Sequence, residues 1–261
     1  MKMNKLLQLL RDNGAPRAEG EQSIRVETVD NASHVYIYDV IDGFWGASAT
    51  GLLTAFAAAG KGDLHLHINS PGGDVFEARA MAAIVVAHPG NVAVHIDGLA
   101  ASAATYLALS GNSVSMTQGG MLMVHESWSL AYGNKRELTK TASLLSQIDD
   151  TIIADYVART GKSADEVRGW IEAETWFQAD QALELGFIDA IDTNTKRSAA
   201  SAQASAARWN LNAYANAPKP APKPAPPPPP EITPQPGPDL AALTAQQLQN
   251  NRNRMRLFTP I

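Results

Sequence analysis

Ser102 stands in "GLAASAAT", residues 98–105, with two alanines on either side of it. Such small neighbours let another molecule come close to the hydroxyl; they equally suit a serine held in a tight helix contact. A nucleophilic serine needs a base within hydrogen-bond reach. The chain has six histidines. His125 closes the apolar run "MLMVHES", residues 121–127, at the kind of strand end where a site residue belongs; a capping histidine in a loop is the plainer reading. His65, His67 and His95 alternate as strand residues do, and His34 and His88 fall at element ends, where surface positions are expected. A His65/His67 metal pair has no evident third ligand. In "INSPGGDVFEARA", residues 68–80, Asn69-Ser70-Pro71 forces a turn, and Gly72 and Gly73 bare the backbone before a helix. Their N–H groups can meet a peptide carbonyl or an extended substrate. No lysine follows, so a phosphate loop is disfavoured.

These residues need a scaffold, and the chain alternates strand and helix signals. "HVYIYDV" (34–40), "DLHLHIN" (63–69) and "NVAVHID" (91–97) read as strands. Between them lie helical stretches at 46–60 and 74–90, followed by a third at 100–111. "SVSMT" and "MLMVHES" add two short strands, residues 136–159 one long amphipathic helix, and residues 180–189 a last helix and strand. Leu138, Leu145, Ile148, Ile152 and Tyr156 form the stripe of the long helix. The alternation predicts an α/β fold with parallel strands and covering helices. Sites in such sheets form at the carboxyl ends of strands. Ser102 falls just past the strand 91–97, at the mouth of a helix whose free N–H groups suit a developing oxyanion.

The 261 residues are 45% hydrophobic and 18% charged, enough for one large domain or two small ones. With no cysteine, disulfides and thiolate metal sites are excluded. Arg11 and Asp12 interrupt the first apolar stretch too early for a signal peptide. No apolar run approaches the length of a membrane span, and the expectation is a soluble, intracellular protein. Charge is divided unevenly. Residues 196–261 carry eight Lys/Arg and two Asp/Glu, net +6, leaving 13 basic and 24 acidic residues, net −11, on residues 1–195. A basic tail on an acidic body suits an acidic partner. Thirteen of the 16 prolines follow residue 217, which predicts an extended spacer. Beyond it, Asp239 could cap a short helix bearing Leu240, Leu243, Leu248 and Met255 on one face and Arg252, Arg254 and Arg256 as its charge.

"INSPGGD", "DGLAASAAT", "LMVHES" and "AETWFQADQALELGFID" occur in this order, and together they resemble the ClpP family of serine peptidases over residues 23–193. The resemblance implies a ClpP/crotonase-like ββα spiral with a disordered Pro-rich C-terminal tail. It divides the chain into an N-terminal segment (1–22), a protease domain (23–195), an Ala/Ser- then Pro-rich linker (196–238) and a short basic helical tail (239–261). It implies Ser102 as nucleophile, His125 as base, and the backbone N–H groups of Gly73 and Ala103 as oxyanion donors, with Gly72 and Gly73 against the substrate backbone. The third triad position, an aspartate in housekeeping members, is Glu174 here; a glutamate can still orient the imidazole. Asp180 and Asp189 are weaker candidates. The "ETW" form and the long tail resemble the ClpP-like head-maturation proteases of tailed phages. This implies a ring-forming homo-oligomer that cleaves scaffold or capsid proteins in the host cytoplasm or within the procapsid, with no cofactor, metal, membrane or nucleic acid required. The alternatives are a housekeeping ClpP subunit fed by an ATPase and an inactive scaffolding protein with a capsid-binding tail. An acyl-CoA enzyme of the crotonase fold and a Ser-Lys peptidase fit the motifs less well.

Overall fold

Two-residue alternation along the strands decides which side of the sheet becomes the core. The computed structural model describes residues 4–14, 23–193, 208–218, 245, 247–250 and 252, in two units, Met1–Pro220 and Ala221–Ile261. In the second unit the described residues are helical; the Pro-rich spacer, the Asp239 cap, Arg254 and Arg256 lie outside the described residues.

In the first unit, β1 (Ile24–Val29), β2 (Ala32–Ile37), β3 (Leu64–Ser70), β4 (Val92–Ala101), β5 (Ser113–Thr117) and β8 (Ala190–Asp192) lie in that order in one sheet. β6 (Met121–Val124) pairs with β4, and β7 (Thr175–Gln178) with β6. Pairing from β2 through β8 along the main path is parallel. The β1–β2 hairpin turns on Asp30 and Asn31, both at positive φ (50° and 64°), as a two-residue hairpin loop requires. One side of β2–β5 presents Val35, Ile37, Leu66, Ile68, Val94, Ile96, Val114 and Met116, all buried. They share a core with α2 (Ala49–Ala59), α3 (Val75–Val86) and α4 (Ala103–Ala108). The α/β class and its parallel strands are as expected.

The opposite side of the strands is polar. His34 Nδ1 lies 2.9 Å from His67 Nε2 and His65 Nδ1 lies 2.8 Å from His95 Nε2. His67 Nδ1 is 2.8 Å from Asp97 Oδ2, and His95 Nδ1 2.8 Å from Ser115 Oγ. His34 therefore sits within this network in β2, not at a free element end as expected. Among the described residues no three His, Cys, Asp or Glu side chains are arranged to hold a metal ion; His65 and His67 are hydrogen-bonded within the network. Burial, with His67 and then His65 as like-charge neighbours, pushes the His95 pKa down to about 4. Unfolded, the same imidazole takes its proton near 6.5. Between these values the unfolded chain binds more protons, so stability falls as pH drops from about 6.5 towards 4. Thermal melts from pH 7 to 4.5 should show that fall, and His95→Asn should remove about 1–3 kcal/mol of it; an identical pH profile in the variant would contradict this.

α5 (Lys135–Thr160) matches the long helix expected at 136–159. It opens on a capping box between Asn134 and Glu137 and ends at Gly161, φ 68°. Ile148, Ile152 and Tyr156 of its stripe are buried, whereas Leu138 is exposed. The sequence reading missed α1 (Lys5–Asn13), β1, α6 (Ala164–Glu172) and β7. It also ended the 91–97 strand too early. β4 runs on because Leu99, Ala100 and Ala101 pair with Met121, Leu122 and Met123 of β6. Ser102 thus follows the strand with no intervening loop.

Candidate active site

Ser102 turns the chain from β4 into α4 at φ 56°, ψ −123°. A non-glycine residue at positive φ in such an elbow is strained by about 1–3 kcal/mol, and the turn pushes its hydroxyl out of the sheet. The surroundings hold it there. Ser102 N donates to Met123 O at 2.9 Å. The Thr105 hydroxyl lies 2.7 Å from Ala100 O and 2.8 Å from Met123 O and donates to one at a time. These bonds tie the elbow to β6, whose next residue after Val124 is His125. The result is a 2.7 Å contact between Ser102 Oγ and His125 Nε2. With the ring proton on Nδ1, Nε2 accepts the serine proton.

The alanines around Ser102 do two things. Ala100, Ala101, Ala103 and Ala104 are buried, so they are packing residues. They also let the Ser70–Gly73 turn abut the elbow. A Cβ on Gly72 (φ 90°) would lie 2.5 Å from Ala101 O and 2.9 Å from Ser102 Cβ. Gly73 (φ 151°) is equally confined, its Cβ position being 2.0 Å from Ile41 O. Ile41 N donates to Gly72 O at 2.9 Å, and Asp74 N to Ile41 O at 2.8 Å, which fixes the turn from behind. Gly73, Ser102, Ala103 and His125 all line one cavity of about 170 Å³. Ala103 is the first residue of α4, so its N–H has no acceptor within the helix. The structure therefore brings Ser102, His125, Gly72, Gly73 and Ala103 together.

Glu174 is not brought to His125. It sits at φ 50°, and its Oε1 accepts from Asn216 N at 2.6 Å and Trp176 Nε1 at 3.4 Å. Its Oε2 accepts from Ala215 N at 2.9 Å. The expected bond to the imidazole is thus replaced by bonds to a segment beyond residue 195. Asp180 lies in the first turn of α7 (Ala179–Glu184). Asp189 accepts from Val114 N and pairs with Arg159. Among the described residues no carboxylate is hydrogen-bonded to His125. The Trp128 ring packs edge-on against the imidazole at 4.4 Å, and the Tyr214 ring at 5.4 Å. This enclosure, with Lys5 adding like charge, pushes the His125 pKa down to about 3. The shift favours the neutral imidazole, the form that can accept the proton of Ser102.

The sequence reading missed residues 208–218. They were expected to lie within a linker, yet Trp209, Ala213 and Tyr214 are buried against Leu9, Leu99, Ala101 and Met123. The available signal was a tryptophan and a tyrosine, "RWNLNAYAN", in a run otherwise made of small and polar residues. Large aromatic rings bring much apolar area to a segment otherwise poor in it.

A family model described as Clp protease matches residues 18–195. Curated relatives are proteolytic subunits of ATP-dependent Clp proteases. Subunit 1 of Leifsonia xyli is 28% identical over 145 residues, which cover 55% of this chain and 74% of that protein. Subunit 1 of Mycobacterium tuberculosis is 29% identical over 145 residues, 54% of this chain and 72% of that protein. Subunit 2 of Thermobifida fusca is 29% identical over 149 residues, 55% and 72%.

Proposed function

The chain belongs to the Clp protease family, and from that premise we propose that it is a serine endopeptidase in which Ser102 and His125 do the chemistry. The 2.7 Å contact between Ser102 Oγ and His125 Nε2 carries this reading. Ser102 Oγ attacks the carbonyl carbon of a peptide bond while its proton passes to His125 Nε2. The carbonyl oxygen, now negative, is received by the N–H groups of Gly73 and Ala103. His125 then gives the proton to the leaving amine, and the acyl group stays on Ser102 until water, deprotonated by His125, releases it.

The substrate class we propose is scaffold or capsid protein during head assembly of a tailed phage. The supporting features are the Glu174-Thr175-Trp176 form of the third motif and the basic, Pro-rich residues 196–261. A second reading, a subunit working with an ATPase, takes its cue from the names of the curated relatives, which at 28–29% identity do not favour it over the first. Stimulation of cleavage by an unfoldase and ATP would select the second. We further propose assembly of several copies. The exposed Leu138 and Leu144 of α5, with Phe44 and Trp45, offer apolar surface for it. No helix among the described residues is long and apolar enough to cross a membrane.

A fluorophosphonate probe, incubated with the full chain to completion and mapped by peptide mass spectrometry, tests the chemistry. The expected adduct is on Ser102 and is absent in His125→Ala. An adduct elsewhere, or one that forms without His125, would remove the assignment.

A further inference from the structure

Residues 208–218 lie outside the stretch that matches the family, yet their Tyr214 lines the same cavity as Gly73, Ser102, Ala103 and His125. Tyr214 is 4% exposed. Its hydroxyl donates to Pro71 O at 2.5 Å, and its side chain interacts with that of Ser102. Its ring packs against His125, Trp128 and Trp176. Five residues earlier, Trp209 Nε1 donates to Asn69 Oδ1 at 3.2 Å. The segment is therefore bonded twice to the turn that carries Gly72 and Gly73. At its far end Ala215 N and Asn216 N are held by Glu174, and Asn216 Nδ2 donates to Ala173 O at 2.8 Å. At its near end Asn210 N donates to Asn13 Oδ1 at 2.7 Å, and Asn13 Nδ2 donates back to Asn210 O at 2.9 Å.

We propose that residues 208–217 are an intramolecular plug that silences the Ser102–His125 pair, latched at one end by Glu174 and at the other by Asn13. This rests on the peptidase reading above. The contacts block the reaction in three ways. The Tyr214 side chain forms a wall of the cavity that a substrate carbonyl must enter to reach Oγ and narrows it. Its one proton goes to Pro71 O, so towards Ser102 it can only accept. It therefore offers no donor to an oxyanion forming beside Ser102. The carboxylate that the family pattern offers to the imidazole is bonded to the plug instead, which leaves an imidazolium formed during attack without a counter-charge. The segment is placed as an inhibitor and not as a substrate. A substrate presents a carbonyl carbon about 3–3.5 Å from the nucleophile, whereas the group against Ser102 is a phenol, which has no acyl group to transfer to serine. Release of the plug clears the cleft and frees Glu174 in one event. Because residues 219–261 follow the plug directly in the chain, capture of the tail by a partner acts on the plug first.

The test is the rate of fluorophosphonate labelling at Ser102 in the full chain and in two full-length variants, each checked for native far-UV circular dichroism. Tyr214→Ala removes the blocking ring. Asn216→Pro leaves the ring in place and removes one of the N–H groups held by Glu174. A site reactive only in its open fraction gains rate in proportion to that fraction. The expected result is labelling faster by about tenfold or more in Tyr214→Ala, and a smaller gain of the same sign in Asn216→Pro. Labelling of Ser102 at the wild-type rate in both variants would overturn the plug and leave the peptidase reading standing. If Ser102 is labelled in none of the three chains, the peptidase reading fails and the plug fails with it.

Discussion

Ser102→Ala should lower peptide hydrolysis by about 10⁴–10⁶-fold, and His125→Ala by about as much. The double variant should be no slower than either single one, because the two side chains act as one unit. The comparison is best made in the Tyr214→Ala chain, where the cleft is open, with kcat and KM read separately on an unfolded protein or a fluorogenic peptide. The loss should fall on kcat. Neither substitution removes a group that binds the substrate backbone, so KM should move little. The size of the effect follows from how much of the local structure exists to hold this pair. Ser102 is strained, its N–H and the Thr105 hydroxyl are committed to β4 and β6, and His125 faces it at 2.7 Å. A polar pair left by chance would not need a strained backbone to form. If the double variant lost far more than either single one, the two residues would be acting separately and the nucleophile–base assignment would fail.

Ser102, His125 and the two glycines stood out as candidates because each falls where a periodic pattern breaks, and the resemblance to the ClpP family supplied their roles. The strand alternation 91–97 stops in a run of alanines. The apolar run 121–124 stops at a histidine, and Ser70-Pro71 announces the turn. Local chemistry fixes such breaks, so a single chain is enough to find them. What the sequence hides is set by partners far along the chain. The extension of β4 to Ala101 depends on pairing with Met121–Met123 of β6, a tertiary contact with no local signal. β1 reads "IRVETV", and its pairing with β2 depends on positive φ at Asp30 and Asn31. Glu174 shows the same limit most clearly. Its position in the motif suggests a bond to His125, yet its carboxylate is claimed by the main-chain N–H groups of residues 215 and 216, about forty residues on. With the Trp176 indole N–H the carboxylate accepts from three donors, each bond charge-assisted as one to an imidazole N–H would be, and three outweigh one. Motif position gives a residue's neighbourhood, and competition among nearby donors decides which partner it takes.

Gly73→Ala should lower kcat by about 10²–10³-fold, the usual consequence of losing one oxyanion donor. Two separate causes are at work and can be told apart. The first is strain: φ at Gly73 is 151°, a region that an L residue enters at a cost of about 1–2 kcal/mol. The second is collision: the new Cβ would lie 2.0 Å from Ile41 O and 2.8 Å from Ile41 C. Ile41 cannot yield easily, since its N–H is bonded to Gly72 O and its carbonyl receives Asp74 N. The turn itself must move, and a displacement of about 1 Å in a catalytic group is enough to cost on the order of 10²-fold. Gly60→Ala separates the two causes. Gly60 also has positive φ, 96°, but nothing lies within 4 Å of its Cβ position, and it caps α2 away from Ser102. That variant should lose about 1–2 kcal/mol of stability in urea and keep its kcat. Gly73→Ala should lose at least as much stability and nearly all its turnover, while the fluorophosphonate still finds Ser102 at a reduced rate. If Gly73→Ala kept its kcat and lost only stability, Gly73 N–H would not receive the oxyanion, and the two glycines would matter only because Ser102 and Ile41 leave no room for a side chain between them.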